Sequence, residues 1–231
     1  MKTLEQLKEM IREENKKLLL SYGIDITTYY GIFTARDSNP DNIKACYEAG
    51  VDMTTQYGAD TLIYSNPDNI KACYEADVDI NTLFGSHTSI HSNPDNITAC
   101  YDAGIDMETK NGAYTAESSN PDNIKACYEA GVDMETIYGS LTAESSNPDN
   151  IKACYEAGVD MTTQHGFFTA ERSKPDNIKA FVEKGIDIET EEGCYIARNF
   201  TLEMIKDLDI TSELTLEQVC KELGRDIKII K

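Results

Sequence analysis

Apolar residues along this chain recur with a long, regular period. Ile43, Cys46 and Tyr47 stand at i, i+3 and i+4, the spacing of one helical face, and the same triplet returns 27 residues later as Ile70, Cys73 and Tyr74. It continues at Ile97, Ile124 and Ile151, and at Ile178 with Phe181 and Val182 in the cysteine and tyrosine places. A period of 20 to 50 residues marks an array of stacked units. Units begin at Ser38, Ser65, Ser92, Ser119, Ser146 and Ser173, with a degenerate one ahead of them at about 11 to 37. Three of them open on the same sixteen letters, SNPDNIKACYEAGVDM, and then diverge.

Both ends of a helix are marked in that shared stretch. Asn39 is a good N-cap, Pro40 suits the first helical position, and Asp41 suits the positive end of the helix dipole. Gly50 supplies the left-handed residue that stops it. Ala45 and Ala49 are small enough for close approach of a neighbouring helix. Asp77 stands where the other units have the stop glycine, and it is expected to take the left-handed conformation at some cost. Lys174 replaces the cap asparagine, so the helix after it is expected to fray at its start.

The second half of each unit, such as TTQYGADTLIYS, reads as a turn around Gly58 with room for one to two helical turns; α-helix alternating with 3₁₀ segments is the competing architecture. The series Gly31 to Gly193 and Thr28 to Thr190 are expected to hold that turn. No single unit buries its stripe alone, so the reading is an all-α solenoid of stacked helix-turn-helix repeats. Residues 1–20 form the N-terminal capping helix, with Leu4, Leu7, Met10 and Ile11 expected to cover the first repeat. Residues 21–199 hold about seven repeats. Residues 200–231 form a C-terminal helical cap of two helices, the second from Thr215 to Gly224.

The segment NIKACYEAGVDM resembles the second helix and following loop of the ankyrin repeat, and Gly58 matches that family's turn glycine. The resemblance covers roughly half of every unit across residues 16–199. The other half departs from it: the unit has 27 residues rather than 33, and only Thr61, Thr142 and their equivalents match the opening motif of the family's first helix. The resemblance implies a protein-binding scaffold that works through loops and first helices.

Charge narrows the partners. Against 21 basic residues stand 41 acidic ones, a net of −20 over 231 residues. Such a field repels phosphate backbones and anionic lipid, so neither nucleic acid nor membrane is an expected partner; a protein with a neutral or basic surface is. No apolar run reaches transmembrane length and the first residues lack the apolar core of a secretory signal, which suits a monomeric cytoplasmic protein.

Chemistry is sparse in this pattern. Five of seven cysteines (Cys46, Cys73, Cys100, Cys127, Cys154) are one structural position repeated, expected to be buried and unpaired. His87 and His91 are four apart, a minimal metal-ligand spacing, but no HExxH or CxxC accompanies them, and neither metal nor cofactor is expected. Aspartates after each stop, Asp25 to Asp187, are too sparse for calcium and are expected to cap amides of their own loops. Nothing resembles catalytic machinery, so the chain is read as non-enzymatic.

Specificity is expected in two columns of mixed chemistry. One runs Tyr29, Gln56, Leu83, Lys110, Ile137, Gln164, Glu191; the other runs Arg36, Ile63, Ile90, Glu117, Glu144, Glu171, Arg198. Core positions do not vary in this way. If both columns share a face, the aliphatic members are exposed anchors in an acidic surround. A rod or spacer with no specific ligand is the alternative.

Overall fold

A computed structural model describes residues 2–208, which contain fifteen α-helices and no strand. The expected helix from Thr215 to Gly224, with Cys220, lies outside the described residues. The chain divides into two compact units, Met1–Ser145 and Ser146–Lys231, so the boundary falls inside the expected array.

In the first unit, α1 (Leu4–Ser21) is followed by two alternating kinds of nine-residue helix. The odd ones are α3 (Pro40–Glu48), α5 (Pro67–Glu75), α7 (Pro94–Asp102) and α9 (Pro121–Glu129); the even ones are α2 (Tyr29–Asp37), α4 (Gln56–Tyr64), α6 (Leu83–His91), α8 (Lys110–Ser118) and α10 (Ile137–Ser145). Each odd helix from α1 onward contacts the next odd one, and each even helix the next even one. The result is two helical layers with the core between them. The second unit repeats the plan with α11 (Pro148–Glu156), α12 (Gln164–Arg172), α13 (Pro175–Glu183), α14 (Glu191–Asn199) and the short α15 (Leu202–Asp207).

Odd helices start and stop as their sequence dictates. Asn39 accepts the Asn42 amide at 2.8 Å, and its counterparts do the same in α5, α7, α9 and α11. Lys174 makes no such bond. At the other end, Val51 N–H reaches Cys46 C=O and Gly50 N–H reaches Tyr47 C=O, the paired bonds of a Schellman stop. Gly50 has φ +73°, and Asp77 takes φ +54° in its place.

Even helices differ from the expectation. They are full nine-residue α-helices, longer than the one to two turns expected, and not the 3₁₀ segments of the competing architecture. The glycine series lies inside their first turn, and the threonine series provides the N-caps: Thr55 Oγ1 accepts the Gly58 amide at 3.2 Å. Glycine is required there by packing, because a Cβ on Gly58 would collide with the Asp52 carbonyl.

A recurrent tie between repeats comes from the third residue of α3, α5, α7, α11 and α13. Asn96 is buried and donates Nδ2 to two backbone carbonyls at the end of α8, Ala116 at 3.0 Å and Ser119 at 2.7 Å. Asn42, Asn69, Asn150 and Asn177 each make the same pair of bonds. These carbonyls are the acceptors a helix end leaves without intrahelical partners. Asparagine thus occupies part of the buried arc, alongside Ile43 and Cys46, which carries Tyr47 to its edge. Tyr47, Tyr74, Tyr101, Tyr128 and Tyr155 are exposed, contrary to their expected place on the apolar stripe. Tyr47 stacks on Tyr22 with centroids 3.9 Å apart, and Tyr74 lines a shallow groove with Ala49, Gly50 and Val51 of the preceding turn.

The expected N-terminal helix is present and packs against α2 and α3, but not through the residues expected to cover the first repeat. Leu4, Leu7, Met10 and Ile11 are exposed, and α1 is anchored instead by Asn15 and Leu19. The helix is simply longer than the layer it joins.

Asn96→Ala leaves two buried carbonyls without a donor and is expected to cost about 2 to 3 kcal/mol. Asp95→Ala, one residue earlier and exposed, is expected to cost no more than about 0.5 kcal/mol. Denaturant midpoints of the two variants check the difference; equal midpoints would contradict the bridging role.

Candidate partner-recognition face

Each even helix starts at its threonine cap, so the first mixed column occupies the first helical position throughout. Residues four and seven positions later fall on the same face, one and two turns further along. The inward face is occupied by Gly58, Ala59, Thr61 and Leu62 in α4 and by their equivalents elsewhere. Thr34 Oγ1, on that inward side, donates to Met53 C=O at 3.3 Å, and Thr88, Thr115 and Thr169 make the corresponding bond in their own repeats. The opposite face is thereby fixed outward.

All seven residues of the first column are exposed, with Tyr29 at 75%, Ile137 at 64% and Leu83 at 53%. The second column is less open. Arg36 and Glu144 are exposed, but Ile63 and Ile90 are half-buried and do not stand out as free anchors. Both columns do lie on one face of each helix.

Between them runs a third column: Phe33, Asp60, His87, Tyr114, Leu141, Phe168 and Tyr195, all half-buried or exposed. It mixes aromatic, acidic, basic and aliphatic types as fully as the other two. That mixture was visible in the sequence, but its position became meaningful only once the second half of the unit proved to be a complete helix.

Contacts join the three columns. In the first unit, Tyr29 and Phe33 stack with centroids 6.4 Å apart, and the Arg36 guanidinium lies 5.1 Å from the Phe33 ring centre. The Lys110 ammonium is 5.9 Å from the Tyr114 ring centre. His87 Nε2 meets Glu117 Oε2 at 2.7 Å, tying α6 to α8. In the second unit, Arg198 covers Phe168 at 5.0 Å. Cations held against aromatic faces keep these rings ordered yet accessible.

Loop aspartates border this face at the helix starts. Each accepts the backbone amide two residues on, as Asp52 does from Thr54 at 2.9 Å and Asp79 from Asn81 at 3.0 Å. The same bond forms at Asp25, Asp106, Asp133, Asp160 and Asp187. Bonds from the Thr27 hydroxyl and amide hold the Asp25 carboxyl below its ordinary range, and Thr162 does the same for Asp160. Burial shifts the Asp60 carboxyl the other way. Loops are also clasped to one another: the amides of Asp79 and Asp106 donate to Glu108 and Glu135 of the next loop at 2.7 and 2.8 Å. From residue 22 to residue 145 there are 5 basic and 20 acidic residues, so this face sits in a negative field.

His87 and His91 share a face of α6, with ring centroids 4.5 Å apart, and His87 is engaged by Glu117. Among the described residues, no group of three or more His, Cys, Asp or Glu is placed to hold a metal ion. No helix among them is long and apolar enough to cross a membrane. Compared with known proteins, the chain matches no family model, no curated protein and no solved structure.

Burial pushes the thiols of Cys46, Cys73, Cys100, Cys127 and Cys154 up to about 12 from an ordinary 9.0, and none is in a disulfide. A neutral buried thiol is neither a nucleophile nor a redox sensor. Because the folded value is raised, the stability these groups contribute is complete below pH 9 and is lost as pH rises towards 12. Iodoacetamide at pH 8 is expected to leave all five unmodified in the native chain and to label all five in denaturant, read by peptide mass mapping. Rapid native labelling of the series would contradict their burial.

Proposed function

We propose that this chain is a non-enzymatic scaffold that binds another protein through the outward face of its even helices. The observation that carries this reading is a contrast between two exposed surfaces. On the odd helices, exposed positions barely change: Asp41 recurs as aspartate in all six units, Lys44 changes only at Thr98, and Glu48 only at Asp102. On the even helices, equally exposed positions run through tyrosine, glutamine, leucine, lysine, isoleucine and glutamate. Exposure alone therefore does not produce the variety. Drift on a tolerant surface would have touched both.

Tyr29, Leu83 and Ile137 are the apolar anchors of the first unit, with Gln56 and Lys110 as polar contacts in the same column; Gln164 takes the corresponding helical position in the second unit. Phe33 and Tyr114, each held beside a cation, extend the aromatic surface, a composition typical of interface centres. Arg36, Ile63 and Ile90 form the far edge, where the two isoleucines contribute partial surface rather than protruding anchors. Bordering aspartates favour a partner with a neutral or basic surface and would speed its approach at low salt. This mode of use agrees with what the ankyrin resemblance implies.

Affinity capture with the native chain and with a Leu83→Ser, Ile137→Ser variant tests the reading. Both substitutions are at exposed positions, so circular dichroism and melting temperature are expected to stay nearly unchanged. The native chain is expected to retain a specific partner and the variant to lose about tenfold or more in affinity. Capture of no specific partner by either chain would favour a spacer or rod.

A further inference from the structure

The N-terminal half of α1 has no counterpart in the repeat. Subtracting the 27-residue period from α3 (Pro40–Glu48) gives residues 13–21, and from there on α1 behaves as an odd helix. Asn15 stands in the place of Asn42 and donates to Ser38 C=O at 2.7 Å; Leu19 stands in the place of Cys46 and is fully buried. An even helix would precede this in any other repeat. Here the same helix runs on instead through Leu4–Arg12, about 14 Å at 1.5 Å per residue.

Every residue from Lys2 to Ile11 is exposed. Leu4, Leu7, Met10 and Ile11 are 45 to 66% exposed, and Leu4, Leu7 and Ile11 follow the three-then-four spacing of a coiled-coil seam. We propose that this segment pairs with the same segment of a second copy of the chain, as an antiparallel two-helix seam.

Charge selects that occupant. α1 carries four basic residues, Lys8, Arg12, Lys16 and Lys17, against four acidic ones, Glu5, Glu9, Glu13 and Glu14. Three intrahelical pairs, Lys8 with Glu5 at 3.1 Å, Arg12 with Glu9 at 3.5 Å and Lys16 with Glu13 at 2.7 Å, already satisfy most of them. The repeats that follow in the same unit carry 5 basic and 20 acidic residues. Two such chains repel each other along their repeats and meet least resistance at a neutral helix. Antiparallel pairing sets the acidic repeats at opposite ends of the seam; parallel pairing would set them side by side. A two-fold contact needs a surface complementary to itself, which an apolar stripe is.

Four side chains make less than the roughly 800 Å² per partner of a standard interface. The dimer is therefore reversible and concentration-dependent, and salt strengthens it by screening repulsion between the repeats. This departs from the monomer expected from the sequence.

Sedimentation velocity of the full chain, at low and high salt over a wide concentration range, tests the pairing. The expected result is a shift from monomer to dimer with concentration, greater at high salt. Leu7→Glu with Ile11→Glu is expected to abolish that shift with the melting temperature unchanged, since both side chains are exposed. A chain that stays monomeric throughout would overturn the proposal. A dimer that survives the double substitution would overturn it too, by placing the contact elsewhere.

Discussion

The buried asparagine at the third position of each odd helix is the interaction on which this structure most depends. Its carboxamide reaches out of one repeat and closes two backbone carbonyls at the end of the next even helix. A short helix of nine residues gains little from its own hydrogen bonds, so it must be stabilised by what it packs against. The asparagine couples the end of each even helix to the start of an odd one. It orients the odd helix so that isoleucine and cysteine face the core while tyrosine moves to the edge. It also leaves the far side of the even helix free of structural duties.

That division explains how one chain is both monotonous and varied. The odd helix carries cap, proline, bridge, stripe and stop within sixteen residues, and three units use the identical sixteen. Even helices keep only a threonine cap, a glycine pressed against an aspartate carbonyl, and a small inward-facing core. Three outward columns remain free to change. A face made in this way can be altered one residue at a time without disturbing the stack behind it, which is the property a recognition surface needs.

Much of this was legible in the residues. Asn39 before Pro40 marked a helix start, Gly50 marked its end, and Asp77 could be assigned a left-handed conformation from its position alone. What escaped depended on contacts between repeats. Gly58 reads locally as a turn residue; its real constraint is the Asp52 carbonyl lying where a Cβ would go. Asn42 reads as an ordinary polar residue near a cap, and only the neighbouring helix end shows why it is buried. Tyr47 fits the helical spacing of the apolar stripe but loses its place there to that asparagine. Leu4, Leu7, Met10 and Ile11 have the pattern of a packed face, and pattern alone does not say whether a surface lies opposite. Of the candidate columns, the first lies wholly exposed as its mixed chemistry suggests, the second has five of its seven members half-buried, and the third is not legible while its helix reads as only one to two turns.

Exchange of the asparagine carboxamide protons, followed by nuclear magnetic resonance on the native chain, tests the bridge most directly. The account predicts that the Nδ2 protons of Asn42, Asn69, Asn96, Asn150 and Asn177 exchange slowly, far behind the side-chain amide of exposed Gln56. Exchange of the five as fast as that of Gln56 would contradict it.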